Sequence, residues 1–94
     1  MSKLDFSWDP VKAAKNLAKH GISFDEARTV FRNPLAKVLP DPTRNRDEDR
    51  AIMMGHSEGG RLLLVVFVER DDRIRIISAR EASKRERREY EEHS

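Results

Sequence analysis

Five arginines and no lysine fall between Arg61 and Arg80: Arg61, Arg70, Arg73, Arg75 and Arg80. The planar guanidinium fork matches the oxygens of a phosphate two at a time, which the point charge of a lysine cannot do. Buried without a partner, an arginine is costly, so these side chains are expected to face water or a polyanion. The chain has three histidines (His20, His56 and His93) and no cysteine. That rules out a thiolate nucleophile, a thiolate metal site and a disulfide framework. The set points towards nucleic acid. At a phosphodiester, arginine can carry the charge, and histidine or glutamate can move protons. No Cys, His or carboxylate cluster has metal-ligand spacing, so neither metal nor cofactor is expected.

The arginines lie on a β-hairpin. Leu62 to Val68 reads as an apolar strand, Asp71-Asp72 as its turn and Arg73 to Ala79 as the returning strand. Strict alternation puts Ile74, Ile76, Ser78 and Arg80 on one face, largely core, with Arg80 at its rim. Arg73 and Arg75 then point the other way, Arg75 to the open side or to a carboxylate such as Glu69 across the hairpin. Among proton carriers, His93 lies in a frayed tail over residues 91–94, and His56 reads as a surface residue near a strand end. His20 has two readings. It is a cation capping the C-terminal end of the first helix, or it forms a ligand-facing stripe with Lys12 and Asn16 at i, i+4, i+8. Tyr90 either stacks on a base or anchors the last helix to the sheet.

The elements that must position these groups can be read in order. Leu4, Phe6 and Trp8 alternate with Asp5 and Ser7 in a short strand with one apolar face. Asp9-Pro10 starts a helix that ends at Gly21, with Val11, Ala14, Leu17 and Ala18 as its apolar stripe. Ser23 to Glu26 matches a capping box opening a second helix, about Phe24 to Phe31, which ends before Asn33-Pro34. Leu35 to Leu39 and Ala51 to Ser57 read as strands separated by the polar loop Pro40 to Asp49, and a charged helix follows Glu81. The order β-α-α-β-β-β-β-α predicts an α+β fold in one domain over residues 1–94: an antiparallel sheet with the two N-terminal helices on one face, and a C-terminal helix.

Composition limits the partners. The net charge is only +2, but residues 1–20 carry four lysines against two aspartates, and residues 61–80 carry five arginines against three acids. Two local basic regions on a nearly neutral chain suit a short polyanion site. The longest apolar run, Leu62 to Val68, is too short to cross a bilayer, and the start lacks a signal peptide's apolar stretch. The expectation is a cytoplasmic protein that does not engage a membrane.

Four segments in this order resemble the BrnT family of toxins from bacterial toxin–antitoxin pairs. They are F-x-W-D-x-x-K (Phe6, Trp8, Asp9, Lys12), N-x-x-K-H-G-I-x-F from Asn16 to Phe24, G-R-L-L-x-V-V from Gly60 to Val66, and I-R-I-I-S-A-R-x-A-x-x-x-E-R-x-x-Y from Ile74 to Tyr90. The segment Asp47-Glu48-Asp49-Arg50 fits the family's E-x-R element before the third strand. The resemblance implies a RelE-like fold and metal-independent cleavage of RNA that blocks translation and growth. It also implies a ribbon-helix-helix antitoxin of the BrnA type as partner, with operator DNA bound only through that antitoxin. With the residue reading, it points to Arg61, Arg75, Arg80, Glu48 and His20 for catalysis, and to Lys12, Arg50, Arg73, Trp8 and Tyr90 for RNA contacts. The alternative is a non-catalytic nucleic-acid-binding or transcription-regulating module. No helix-turn-helix spacing supports it, and the one strongly charged helix is electrically balanced.

Overall fold

The computed structural model describes residues 5–41 and 50–92. The elements are β1 (Asp5–Ser7), α1 (Pro10–His20), α2 (Phe24–Thr29) with a 3-10 turn (Val30–Arg32), β2 (Lys37–Pro40), β3 (Arg50–His56), β4 (Leu62–Arg70), β5 (Arg73–Glu81) and α3 (Lys84–Glu92). The strands form one sheet in the order β1-β5-β4-β3-β2. All pairs are antiparallel except β1 with β5, which run parallel. That pair follows from the connection: β1 is the first element and β5 the last strand, so no hairpin joins them.

Local chemistry sets the boundaries. The Asp9 carboxylate accepts from the Val11 N–H at 2.9 Å, and Gly21 closes α1 in the left-handed region at φ 69°. Ser23 caps α2 by accepting from the Glu26 N–H at 3.0 Å. Asp71 and Asp72 both take positive φ (54° and 66°), as a two-residue hairpin turn requires when Arg70 is paired with Arg73.

One face of the sheet carries the main core. Leu63, Val65, Phe67, Ile74, Ile76 and Ala79 meet Ile22, Phe24, Ala27 and Val30 from the α2 layer. Phe31 fills the gap between strands, edge-on to Phe6 at 5.2 Å and to Phe67 at 5.0 Å. Each such side chain, fully buried, contributes about 1.5–3 kcal/mol before entropy is counted. Gly55 lets β3 pass close to the preceding turn: a Cβ there would stand 2.7 Å from Ala36 Cβ.

Two expectations are corrected. The stripe Val11, Ala14, Leu17, Ala18 does not face the core; Val11 is 61 % and Leu17 52 % exposed. Instead α1 is fastened by buried Asn16. Its amide nitrogen donates to Ile22 O (3.0 Å) and Ala79 O (2.8 Å), and its oxygen accepts from Ala79 N–H (3.0 Å). β1 pairs only with Arg73 to Arg75, so at Ala79 the asparagine does what a neighbouring strand would do. The second correction concerns β5. Val66 pairs with Ser78 but Phe67 with Ile76, so Ile77 is an extra residue in a β-bulge. The bulge reverses the alternation beyond it. Ser78 and Arg80 therefore leave the face of Ile74 and Ile76 and join that of Arg73 and Arg75.

Candidate nucleic-acid interface

Because directly paired residues share a face, the register gives the layout of the side of the sheet away from α1 and α2, part of which α3 covers through Tyr90 on Met54, Leu62 and Leu64. One row runs Ser7, Arg75, Val68, Arg50. The next runs Ser78, Val66, Ile52, Leu39, and the third Arg80, Leu64, Met54, Lys37. Arg73 and Arg70 lie opposite each other beyond the first row. Two cationic rows thus bracket an apolar strip, and at about 3.4 Å per residue they are on the order of 13 Å apart along β3. Arg73, Arg75 and Arg80 are exposed; Arg50 and Lys37 are half-buried.

Two clefts open on this face. One, about 640 Å³, lies at the hairpin end and is lined by Ser7, Val68, Arg70, Asp71, Arg73 and Arg75. The other, about 540 Å³, lies between the sheet and α3, with Ile52, Met54 and Leu64 as its floor and Arg80, Glu86 and Lys37 at its sides. The first can hold phosphate between guanidiniums. The second offers an apolar floor with charged margins, the surroundings an unstacked base needs.

Arg80 is held by Glu86, Nη1 to Oε1 and Nη2 to Oε2, both at 2.8 Å. The guanidinium pulls the Glu86 carboxyl down to about 2, against the opposing effect of burial, and the Arg80 pKa is raised in return. Tyr90 is buried; its hydroxyl donates to Leu35 O at 2.7 Å, Lys37 Nζ stands 5.3 Å from its ring centre, and His56 meets its edge. It anchors α3, as the second of its two sequence readings has it.

Other candidate residues lie elsewhere. Arg61 is on the helix side, where its Nε donates to Glu26 Oε2 at 3.0 Å, its Nη2 to Glu26 Oε1, and Nη2 also to Gly21 O at 3.2 Å. Glu26 further accepts from Ser57 Oγ at 2.7 Å, so the β3–β4 turn is clamped to α2. The Arg61 contact lowers the Glu26 pKa, with Ser57 assisting against burial, and the Arg61 pKa rises. His20 ends α1 beside Gly21, exposed, and Lys12 is exposed on the same helix. Asn16 is buried between them, so the three do not form a ligand-facing stripe. Trp8 packs edge-on to Phe24 at 5.8 Å against the helix-covered core. Arg75 stands opposite Val68, while Glu69 pairs with Ile74, so no cross-strand pair joins Arg75 to Glu69. Glu48 lies outside the described residues, as does His93.

Three contributors were not read from the sequence. Ser7 reaches the face only through the parallel β1–β5 pair, which no local pattern encodes. Lys37 arrives through the β2 register. Glu86 did leave a trace: Ser83-x-x-Glu86 is a capping box, and both of its bonds form, at 2.9 and 3.1 Å. Among the described residues, no three of His, Cys, Asp and Glu converge as metal ligands, and no helix is long and apolar enough to cross a membrane.

Comparison with known proteins adds the family. Residues 8–86 match the family model described as the ribonuclease toxin BrnT of type II toxin–antitoxin systems. The crystal structure of the Brucella abortus ribonuclease toxin BrnT is similar, at 28 % identity and a TM-score of 0.68, over 87 % of this chain and 100 % of that one. No curated protein matches the sequence.

Proposed function

The chain belongs to the BrnT family of ribonuclease toxins of type II toxin–antitoxin systems, and from that premise we propose that it cleaves RNA on the open, arginine-lined face of its sheet. The observation that carries this reading is the bulge at Ile77, which puts Arg73, Arg75 and Arg80 on one face with Arg50. Single-stranded RNA lies along this face beside α3, its phosphates on the arginines and one base against Ile52 and Leu39, the apolar side chains of the second cleft that Tyr90 does not bury.

Cleavage proceeds by attack of the RNA 2′-oxygen on the adjacent phosphorus, with departure of the 5′-oxygen. Arg75 and Arg80 stabilise the charge that builds on the phosphoryl oxygens, a role that needs no metal. Arg50 and Arg73 hold the flanking backbone. Glu48, two residues ahead of Arg50, takes the 2′-proton, and the departing 5′-oxygen takes its proton from water. Arg61 and His20, across the sheet, have no part in this step. The consequences in the cell are blocked translation and arrested growth, and the neutralising partner is a ribbon-helix-helix antitoxin that alone contacts operator DNA. The chain works in the cytoplasm.

A short 2′-O-methyl RNA, which cannot be cleaved, tests the surface by NMR. Amide shifts at Ile52, Leu64, Arg75 and Ser78 are expected. Shifts confined to α1 and α2 would overturn the assignment. Binding on the open face without cleavage of unmodified RNA would favour the non-catalytic module.

A further inference from the structure

Helix α1 is built inside out. Its polar Asn16 is buried while Val11 and Leu17 are exposed, so the apolar arc through Leu17, Ala14, Ala18 and Val11 faces away from the sheet. At 100° per residue, Lys12, Lys15 and Lys19 form a row along one border of that arc. No acidic residue lies within α1. Where α1 meets α2, a notch of about 180 Å³ opens, lined by Trp8, Ala13, Ala14, Leu17 and Phe24, with Ser23 and Asp25 at its rim. Asp25 has Arg28 within 3.8 Å.

We propose that this surface docks an acidic amphipathic segment of the antitoxin. One apolar side chain of that segment enters the notch, and its Asp and Glu residues face the lysine row. The partner is argued from charge and polarity together. A second copy of this chain would present a helix of the same charge, with Asp25, which already stands 3.8 Å from Arg28, as the one carboxylate lining the notch. RNA would answer the lysines but leave Val11 and Leu17 against water. An acidic amphipathic peptide satisfies both, in the helix-in-groove manner. The proposal rests on the reading that RNA occupies the open face: the anchor of the antitoxin is then separate from the catalytic rows, and affinity for it can be removed while cleavage is kept.

The test uses full-length toxin and the antitoxin made from the adjoining reading frame. Binding is measured by surface plasmon resonance and cleavage on a short single-stranded RNA. Leu17→Glu and, independently, Val11→Glu are each expected to weaken antitoxin binding about tenfold or more, with RNA cleavage within about twofold of wild type. Both positions are exposed and Glu is a good helix former, so the fold should persist; melting temperature checks this for each variant. Lys15→Glu with Lys19→Glu is expected to slow association. Antitoxin affinity unchanged in both single variants would overturn the proposal. So would loss of RNA cleavage with antitoxin binding intact, which would make α1 an RNA surface. If wild-type protein binds antitoxin but cleaves no RNA, the proposed function fails, and the binding data still decide the docking site.

Discussion

Arg80 and Glu86 face each other fork to fork, two bonds of 2.8 Å joining the end of β5 to the first turn of α3. The same carboxylate accepts from the Ser83 N–H, so the start of the helix and the direction of the arginine are fixed by one group. The arginine is thereby held, already ordered, at the edge of the cleft between the sheet and α3. For the phosphate proposed to bind there, the entropy of the side chain is largely spent beforehand.

This pair makes stability depend on pH. The Glu86 carboxyl lies at about 2 in the fold against an ordinary 4.5. Its contribution is therefore complete above about pH 5 and is lost as pH falls towards 2. Both side chains are partly exposed, so the expected contribution is ~1–2 kcal/mol once solvent screening is allowed for. Urea denaturation from pH 6 to 2 should show a flatter acid limb in Glu86→Gln than in wild type. The glutamine keeps the capping bond on its amide oxygen, and removes the charge together with one of the two bonds from Arg80. Glu26, also held low by Arg61, leaves a residual slope. Superimposable pH profiles would contradict the assignment.

Asn16→Ala should destabilise the domain by about 2–4 kcal/mol. It strands the Ala79 N–H and the Ala79 and Ile22 carbonyls, which the asparagine now satisfies. Chemical denaturation gives the value directly. A cost below about 0.5 kcal/mol would mean that water replaces the amide without loss.

Arg61→Ala and Arg75→Ala should separate structure from binding. The first cuts the clamp between α2 and the β3–β4 turn, and its melting temperature should fall by several degrees. The second removes an exposed side chain, and its melting temperature should stay near wild type. Thermal unfolding followed by circular dichroism is sufficient, and the reverse order would contradict the account.

Binding of a non-cleavable RNA should weaken as salt rises. In Arg73→Ala and in Arg75→Ala, the slope of log affinity against log salt should be shallower than in wild type by roughly 0.7. Isothermal titration at several salt concentrations measures it. An unchanged slope in both variants would show that neither arginine meets a phosphate.

Much of this molecule was legible because its signals are local. Asp9-Pro10 and Gly21 bound α1, Ser23 caps α2, and Asp71-Asp72 turns the hairpin, each through bonds between near neighbours. Three features were not legible. The parallel β1–β5 pair joins segments far apart in sequence. The exposure of Val11 and Leu17 shows that periodicity reveals which side of a helix is apolar, not whether the domain covers it; here one buried asparagine decided the orientation. The bulge mattered most for the site. Alternation carried through Ile76-Ile77 separates Arg80 from Arg75, and one extra residue reunites them. The adjacent isoleucines were the visible break in the pattern. Glu86 could have been found from its capping box, and with it the partner of Arg80.

The most direct test of an arginine-lined catalytic face is single-turnover cleavage of single-stranded RNA in EDTA by wild type, Arg75→Ala, Arg80→Ala and Arg61→Ala, each below its own melting temperature. Wild type should cleave without metal. Arg75→Ala and Arg80→Ala should each lose about 10²- to 10³-fold in rate, the scale of removing one donor to a charged transition state. Arg61→Ala should remain within a few fold of wild type while folded. Activity that requires added Mg²⁺, or a folded Arg61→Ala that is inactive while Arg75→Ala and Arg80→Ala cleave normally, would contradict the account.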